Sequence, residues 1–282
     1  MIKSPLRYPG GKNRIAPFLS TLFPDYDYFY EPFVGGGSVF IHEMQQRPDA
    51  SFSVNDWYGD LVVFWSQLKS DNDVFVERVK QIHTWFKRNN DGRLLFNLCK
   101  HDLFRPALKF FILNRITFSG TIESGGYSQN AFEKRFTESC IERLDKLGDL
   151  LNERYFFAHH RQYDDYINNC IYKNSGTFVY LDPPYLLKKE KNCLYGKKGD
   201  LHRNFDHSKF ATLMHSKQST FNWLITLNDC PEIREMFSWA NIYPLTVQYG
   251  MNNYKKEKCE RGAELVITNY ENDELCKLRV AE

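Results

Sequence analysis

The residues best placed to do chemistry stand in one short run, Phe178-Val179-Tyr180-Leu181-Asp182-Pro183-Pro184-Tyr185. An apolar strand stops at Asp182, because two successive prolines neither donate to a β-ladder nor continue a helix. The resulting turn is rigid. It sets a carboxylate, a proline carbonyl and an aromatic ring at the carboxyl end of a strand, where open α/β sheets bind ligands. Such a set suits the exocyclic amine of adenine, whose lone pair is delocalised into the ring. If the Asp182 carboxylate and the Pro183 carbonyl both accept its N–H hydrogens, the nitrogen can pyramidalise and aim its lone pair at an electrophile. Tyr185 can stack on the base. A lone Asp-Pro turn is also a common structural feature, so the run gains meaning from what accompanies it.

Upstream, Glu31-Pro32-Phe33-Val34-Gly35-Gly36-Gly37-Ser38-Val39-Phe40 lies at an expected strand-to-helix turn, where missing Cβ atoms let a ligand approach the backbone. Asp56 closes the next expected strand, which completes the generic nucleotide site of a doubly wound sheet. Phe40 occupies the third glycine position of the dinucleotide pattern, which disfavours a pyrophosphate. Adenosine without phosphates fits better, since Asp56 can accept from both ribose hydroxyls. A tight structural turn would need the same glycines. Gly10-Gly11-Lys12 is not a phosphate loop, because Leu6 replaces its first glycine and Asn13 its magnesium-holding Ser or Thr. Lys12 either pairs with the carboxylate of an amino-acid-like ligand or is a solvated surface lysine. The electrophile matched to these groups is the methyl sulfonium of S-adenosylmethionine, with in-line transfer driven by proximity and alignment.

The elements that must position these residues follow from periodicity. Asn13 to Leu22 reads as a helix, Tyr26 to Tyr30 as an aromatic strand, and Ser38 opens a second helix. Ser51 to Asn55 reads as a strand. From Trp57 the apolar period is helical: Phe75, Val79, Ile82 and Phe86 share one face, as do Ile141, Leu144, Leu147 and Leu151. Between these stripes, Ser119 to Ser128 is rich in glycine and β-branched residues and reads as a hairpin or an extended loop. Strands return at Tyr155 to Ala158, Thr177 to Leu181, Trp223 to Leu227, Tyr243 to Tyr249 and Ala263 to Tyr270. This order predicts an α/β sheet interrupted by a mainly helical insertion.

Composition bounds the alternatives. The 282 residues are 42% hydrophobic and 26% charged, which supports a large core and excludes global disorder. A net charge of +2 excludes binding by bulk charge. That near-neutrality is an average over opposites. Residues 16–77 hold ten acids against Arg47 and Lys69, a net of −8, while 78–115 hold nine basic residues against Asp91 and Asp102, a net of +7. No run of about 18 apolar residues and no secretory pattern appears, so a cytoplasmic setting is expected. The seven cysteines form no Cys-x-x-Cys pair and read as reduced thiols, and His159, His160, His202 and His207 form no convincing metal set. No metal and no membrane partner are expected.

The motifs Leu6 to Lys12, Glu31 to Phe40, Val54-Asn55-Asp56, Leu113-Asn114-Arg115, Asp182 to Tyr185 and Glu264 to Tyr270 occur in an order that resembles the Dam-type adenine-specific DNA methyltransferases of the D12 class, alpha group. The resemblance runs from residue 6 to 270. It implies a class I S-adenosylmethionine-dependent methyltransferase sheet, residues 1–59 and 154–282, with a target-recognition insertion at 60–153. It also implies cofactor contacts at Tyr8, Lys12, Asp56 and Asp182, to which the glycine segment adds Phe33, Gly35, Gly37 and Ser38. Asp182, Pro183 and Tyr185 are the expected catalytic residues.

The implied partner is double-stranded DNA, from which the adenine must be flipped, since its amino group is otherwise paired. Phe118-Ser119-Gly120 stands where the family has an aromatic residue followed by Asn-Gly, and Glu123 to Asn130 lacks the family's GATC-reading pattern. Phe118 either wedges into the base stack or packs in the core. Arg115, Phe118, Ser119, Lys188 and Lys189 are candidate DNA contacts. The basic loop around Lys188, Lys189, Lys191, Lys197, Lys198 and Arg203 either closes over phosphates or is merely solvated. A cognate restriction endonuclease is a further conceivable partner. The competing readings are an RNA exocyclic-amine methyltransferase and a DNA-binding homologue without catalysis.

Overall fold

The computed structural model describes residues 1–122, 124–186, 205–248 and 261–279. Seven strands form one sheet: β1 (Tyr28–Glu31), β2 (Ser51–Asn55), β3 (Phe156–His159), β4 (Thr177–Leu181), β5 (Asn222–Asn228), β6 (Asn241–Gln248) and β7 (Arg261–Thr268). Their order is β3-β2-β1-β4-β5-β7-β6. The first five are parallel, and β7 runs antiparallel to both β5 and β6. Pro244 is tolerated in β6 because that strand pairs with β7 alone, at the sheet's edge.

The expected strands and helices recur with shifted ends. The helix expected from Asn13 begins only at α1 (Ala16–Thr21), with Pro17 in its first turn, where a missing N–H costs nothing. The strand expected from Tyr26 begins at Tyr28, because Asp27 and Tyr28 first donate to the Gly176 carbonyl. The loop at 119–128 is not a hairpin. It is closed by a single bridge between Thr117 and Tyr127 and a short 3₁₀ turn over Phe118–Gly120.

The sheet is covered on both faces, so central strands read as continuous apolar runs rather than alternating ones. All five residues of β4 are buried. Phe29, Phe52, Phe178 and Tyr180 point to one face, and Tyr30, Val179, Leu181 and Ile225 to the other. On the second face pack α9 (Tyr163–Asn169), α10 (His207–Ser216) and α11 (Pro231–Met236), through Tyr166, Phe210, Met214 and Ile233. On the first lie α1 and α2 (Ser38–Gln46).

Between β2 and β3 the chain makes six helices: α3 (Gly59–Ser70), α4 (Asn72–Arg88), α5 (Gly92–Lys100), α6 (Pro106–Ile116), α7 (Gln129–Arg135) and α8 (Glu138–Asn152). Of the two predicted stripes, Phe75, Val79, Phe86, Ile141, Leu144, Leu147 and Leu151 are buried, with Ile82 partly so. These side chains do not form a separate core. Through Phe64, Trp65 and Phe111 they join the cluster that holds Phe29, Phe40 and Phe156 against the sheet.

Candidate active site at the carboxyl ends of the strands

β1 and β4 are hydrogen-bonded neighbours, with Tyr30 opposite Val179, although their residues are far apart in the chain. Strand order reverses between them, which opens a ligand crevice at their carboxyl ends. Both sequence motifs lie at this point. β1 runs into the glycine turn and α2, and β4 runs into Asp182-Pro183-Pro184-Tyr185.

The glycine turn is a constrained object. Gly37, before α2, has a left-handed φ of +69°, and a Cβ there would stand 2.3 Å from Phe40 Cε1. Gly35 has φ +45°, and a Cβ on it would meet the Tyr8 ring at 2.8 Å. Tyr8 therefore lies against the turn. Ser38 heads α2 and is buried. The Phe33 ring packs instead on the second face, against Tyr163, Phe205 and Phe210.

Asp56 ties this turn to the end of β2: its two oxygens accept from Gly35 N at 2.9 Å and Tyr58 N at 2.9 Å. Burial raises the Asp56 carboxyl against the pull of those donors. Glu31, 3% exposed, accepts from Phe40 N at 3.0 Å, and burial raises it well above the ordinary carboxylate value.

Asp182 is held from two sides. Lys12 Nζ lies 2.9 Å from Oδ1 and 2.8 Å from Oδ2, and the Thr226 hydroxyl donates to Oδ1 at 2.8 Å. Tyr180 backs Thr226 at 3.0 Å. Lys12 is not a solvated surface lysine: it is 4% exposed, and it also donates to the Tyr185 hydroxyl at 2.9 Å. Burial works against its charge, but Asp182, Glu264 and Glu31 outweigh that effect and raise its pKa. The rest of the turn is pinned too. His207 Nε2 lies 2.9 Å from the Pro184 carbonyl, and burial lowers the pKa of that ring, favouring the neutral donor. The Asn228 side chain accepts from Leu186 N at 2.9 Å and donates to Leu186 O at 3.0 Å. Among the described residues nothing donates to the Pro183 carbonyl.

Thr226, His207 and Asn228 are site residues that motif reading missed. Thr226 and Asn228 signal themselves only as polar residues in an otherwise apolar strand. His207 carries no signal at all, since its bond to Pro184 depends on where α10 packs.

The recognition side is built differently. Phe118 is 72% exposed, so it does not pack in the core, and Ser119 holds a left-handed φ of 54°. Asn114 clamps this loop to the amino-terminal motif. It accepts from Arg7 N at 2.8 Å, donates to Arg7 O at 2.8 Å, and reaches Gly120 O at 3.4 Å. Arg7 in turn donates to Thr117 O at 3.0 Å, and burial with the nearby Arg115 and Arg135 charges lowers its pKa to about 10.

Arg115, expected on a DNA face, is turned inward. It is buried, and its guanidinium donates to the carbonyls of Pro5 and Arg135. Much of the +7 segment is likewise engaged by protein: Lys80 with Asp145, Lys109 with Asp102 and Asp60, and Lys87 with the carbonyls of Phe132 and Glu133. Arg88 and Arg105 are exposed. Lys188, Lys189 and the rest of the basic loop lie outside the described residues, as does His202.

The donor set fits S-adenosylmethionine. Two glycines at left-handed φ let the Tyr8 and Phe40 rings close against the turn, which sets its backbone at the mouth of the crevice. Among the described residues of the site, the carboxylates Glu31, Asp56, Asp182 and Glu264 outnumber the Lys12 cation, which suits a sulfonium rather than phosphates. Among the described residues no group of three or more His, Cys, Asp or Glu is arranged to hold a metal ion. Strand order and site together define a class I S-adenosylmethionine-dependent methyltransferase.

Comparison with known proteins makes the class specific. Residues 8–251 match the family model of the D12 class N6 adenine-specific DNA methyltransferases, and this chain belongs to that family. It is 22% identical to the Type II methyltransferase M1.LlaDCHI of Lactococcus lactis subsp. cremoris, over 94% of this chain and 95% of that one. It is 25% identical to the DNA adenine methylase of Haemophilus influenzae, over 90% and 89% of the two chains. It is 26% identical to the DNA adenine methylase of Vibrio cholerae, over 84% and 85%.

Proposed function

We propose that this protein transfers a methyl group from S-adenosylmethionine to N6 of an adenine flipped out of duplex DNA, with Asp182, Pro183 and Tyr185 at the reacting amine. The observation that carries this reading is the pinned turn, in which no described residue donates to the Pro183 carbonyl. Lys12 and Thr226 orient Asp182, His207 occupies Pro184 and Asn228 fixes Leu186, so the acceptors offered to an amine are Asp182 and the Pro183 carbonyl. Two acceptors held on a rigid turn localise the nitrogen lone pair. Tyr185 supplies the stacking face. When bound, S-adenosylmethionine supplies an electrophilic methyl carbon. Tyr8, Gly35, Gly37 and Ser38 form its floor, Asp56 takes the ribose hydroxyls, and Phe33 supports the turn from behind. Lys12 serves this cofactor through Asp182 rather than by a bond to its carboxylate. The methyl transfer itself calls on no metal.

On the DNA side Phe118 is the wedge that fills the gap left by the flipped base, with Ser119 beside it and Arg88 and Arg105 on phosphates. Lys188 and Lys189 are the proposed phosphate contacts of the segment that follows the catalytic turn in sequence. Residues 60–153 carry recognition and 1–59 with 154–282 carry chemistry, although the two share one core. The Type II methyltransferase name of one relative favours a restriction-modification setting, with a cognate endonuclease as partner.

Expression in a methylation-free host, followed by mapping of N6-methyladenine, tests activity and target sequence together. Absence of N6-methyladenine in any DNA offered, with cofactor binding intact, would refute the reading. Preferential methylation of structured RNA in parallel assays would turn it toward the RNA alternative.

A further inference from the structure

Glu264, near the start of β7, takes no part in the chemistry above. It is 1% exposed, and among the described residues neither of its oxygens has a well-formed hydrogen bond, although the Tyr185 hydroxyl acts on it as a donor. It lies in register with Asn228 of β5 and Leu245 of β6, at the end of the sheet where the site is. The groups that act on its charge are Lys12 from the amino-terminal segment, and Asp182 and the Tyr185 hydroxyl from the turn after β4. Asn228 is already committed to Leu186.

A buried carboxylate with no well-formed hydrogen bond is a costly arrangement. It is accounted for if a donor reaches it at another stage of the cycle, and Lys12 is the donor at hand. With no substrate, Lys12 covers both Asp182 oxygens and Thr226 takes Oδ1 as well, which leaves Asp182 little to offer an amine. Once the amine arrives, part of that cover must be given up. The buried ammonium then needs another negative charge within reach.

We propose that Glu264 is the second seat of the Lys12 ammonium: as the target N6–H donates to Asp182, Lys12 shifts its hydrogen bonds from Asp182 to Glu264. The Tyr185 hydroxyl, 2.9 Å from Nζ, tethers the ammonium through the shift. Glu264 is thus a positioning residue that frees the acceptor at the moment it is needed. The inference rests on Asp182 being the acceptor of N6–H.

The test is Glu264→Gln in the full chain, which keeps the shape and removes the charge. The expected result is a kcat lowered by about tenfold, with KM for S-adenosylmethionine and for duplex DNA changed less than about twofold. Glu264→Asp, which keeps the charge, recovers part of the rate. In a Lys12→Met background, Glu264→Gln adds no further loss, because its effect runs through Lys12. A kcat within twofold of wild type, or losses that multiply in the double variant, would overturn the proposal. A crystal structure of the wild-type protein with an adenine-containing duplex and S-adenosylhomocysteine decides independently of turnover and of how the variants fold. Lys12 on Glu264 supports the shift, and Lys12 still on both Asp182 oxygens refutes it. An inactive wild type would instead count against adenine methylation itself, which separates the two failures.

Discussion

The catalytic turn after β4 and the loop after α6 face the same substrate with opposite constructions. At the turn, most polar groups are tied to another before any substrate arrives: Asp182 to Lys12 and Thr226, Pro184 to His207, Leu186 to Asn228. At the loop the backbone is clamped, through Asn114, Arg7 and the Thr117–Tyr127 bridge, while the Phe118 ring stands out in solvent. The difference follows from the two tasks. Methyl transfer gains from acceptors fixed on a rigid backbone. Insertion into a base stack gains from an apolar group that loses little protein packing when it moves into DNA. A mutation at the turn should therefore disturb chemistry and stability together, and one at the loop tip should disturb chemistry alone.

The largest effect is expected at Asp182. Asp182→Ala should lower the methylation rate by about a thousandfold or more, measured as labelled methyl transfer to DNA. It should also lower stability by up to about 3 kcal/mol in denaturant titrations, because it strands the buried Lys12. Asp182→Asn should lose as much activity with less stability. An Asp182→Ala protein as stable as wild type would show that the turn is not interlocked.

Phe118→Ala should reduce methylation of duplex DNA by about tenfold while changing stability by less than about 0.5 kcal/mol. The defect should shrink on duplexes whose target adenine is mispaired, since flipping is then easier. An equal defect on both substrates would remove the wedge role.

Arg115→Ala inverts that pattern. Loss of its bonds to Pro5 and Arg135 should destabilise the protein by about 2–4 kcal/mol, with no change in the salt dependence of DNA binding. Arg88→Ala and Arg105→Ala should each reduce the salt slope by about 1 and leave the melting temperature alone. A change of slope in Arg115→Ala would return that residue to the DNA face.

A smaller effect is expected at Glu31, whose folded carboxyl is raised by burial. A raised folded value stabilises below the ordinary carboxylate range, and that contribution is lost as pH rises through the folded value. Glu31→Gln lacks the loss and can still accept from Phe40 N. Its melting temperature should gain on wild type from pH 5 to pH 8. Parallel pH curves would rule out a buried acid of this kind. Smallest of all, Ser119→Gly should add about 0.5–1 kcal/mol by relieving the left-handed φ, with target preference unchanged.

Most of the elements were legible in the sequence because their causes are local. Apolar stripes at Phe75 to Phe86 and Ile141 to Leu151 can be read from helical spacing, and the end of β4 from two prolines. Helix and strand ends were less legible. They depend on which carbonyl is free to accept, as with Gly176 for Asp27 and Tyr28. Arg115 could not be placed from its charge, since an arginine in a basic segment looks the same whether it meets phosphates or backbone carbonyls. The Lys12 partner was hidden for the same reason, because Asp182 is 170 residues away.

By itself, then, the amino-acid sequence determined the chemical vocabulary: a rigid Asp-Pro-Pro-Tyr turn, a glycine turn without room for side chains, and an acid closing the second strand. These depend on ring closure, missing Cβ atoms and strand period, which act over a few residues. Only the tertiary structure decided which groups hold one another. Placing β4 beside β5 and β5 beside β7, with the amino-terminal segment against them, brought Lys12, Asp182, Thr226 and Glu264 together, so that each charge there depends on the others. Electrostatic coupling in a low-dielectric interior is a property of distance in space. No spacing along the chain encodes it.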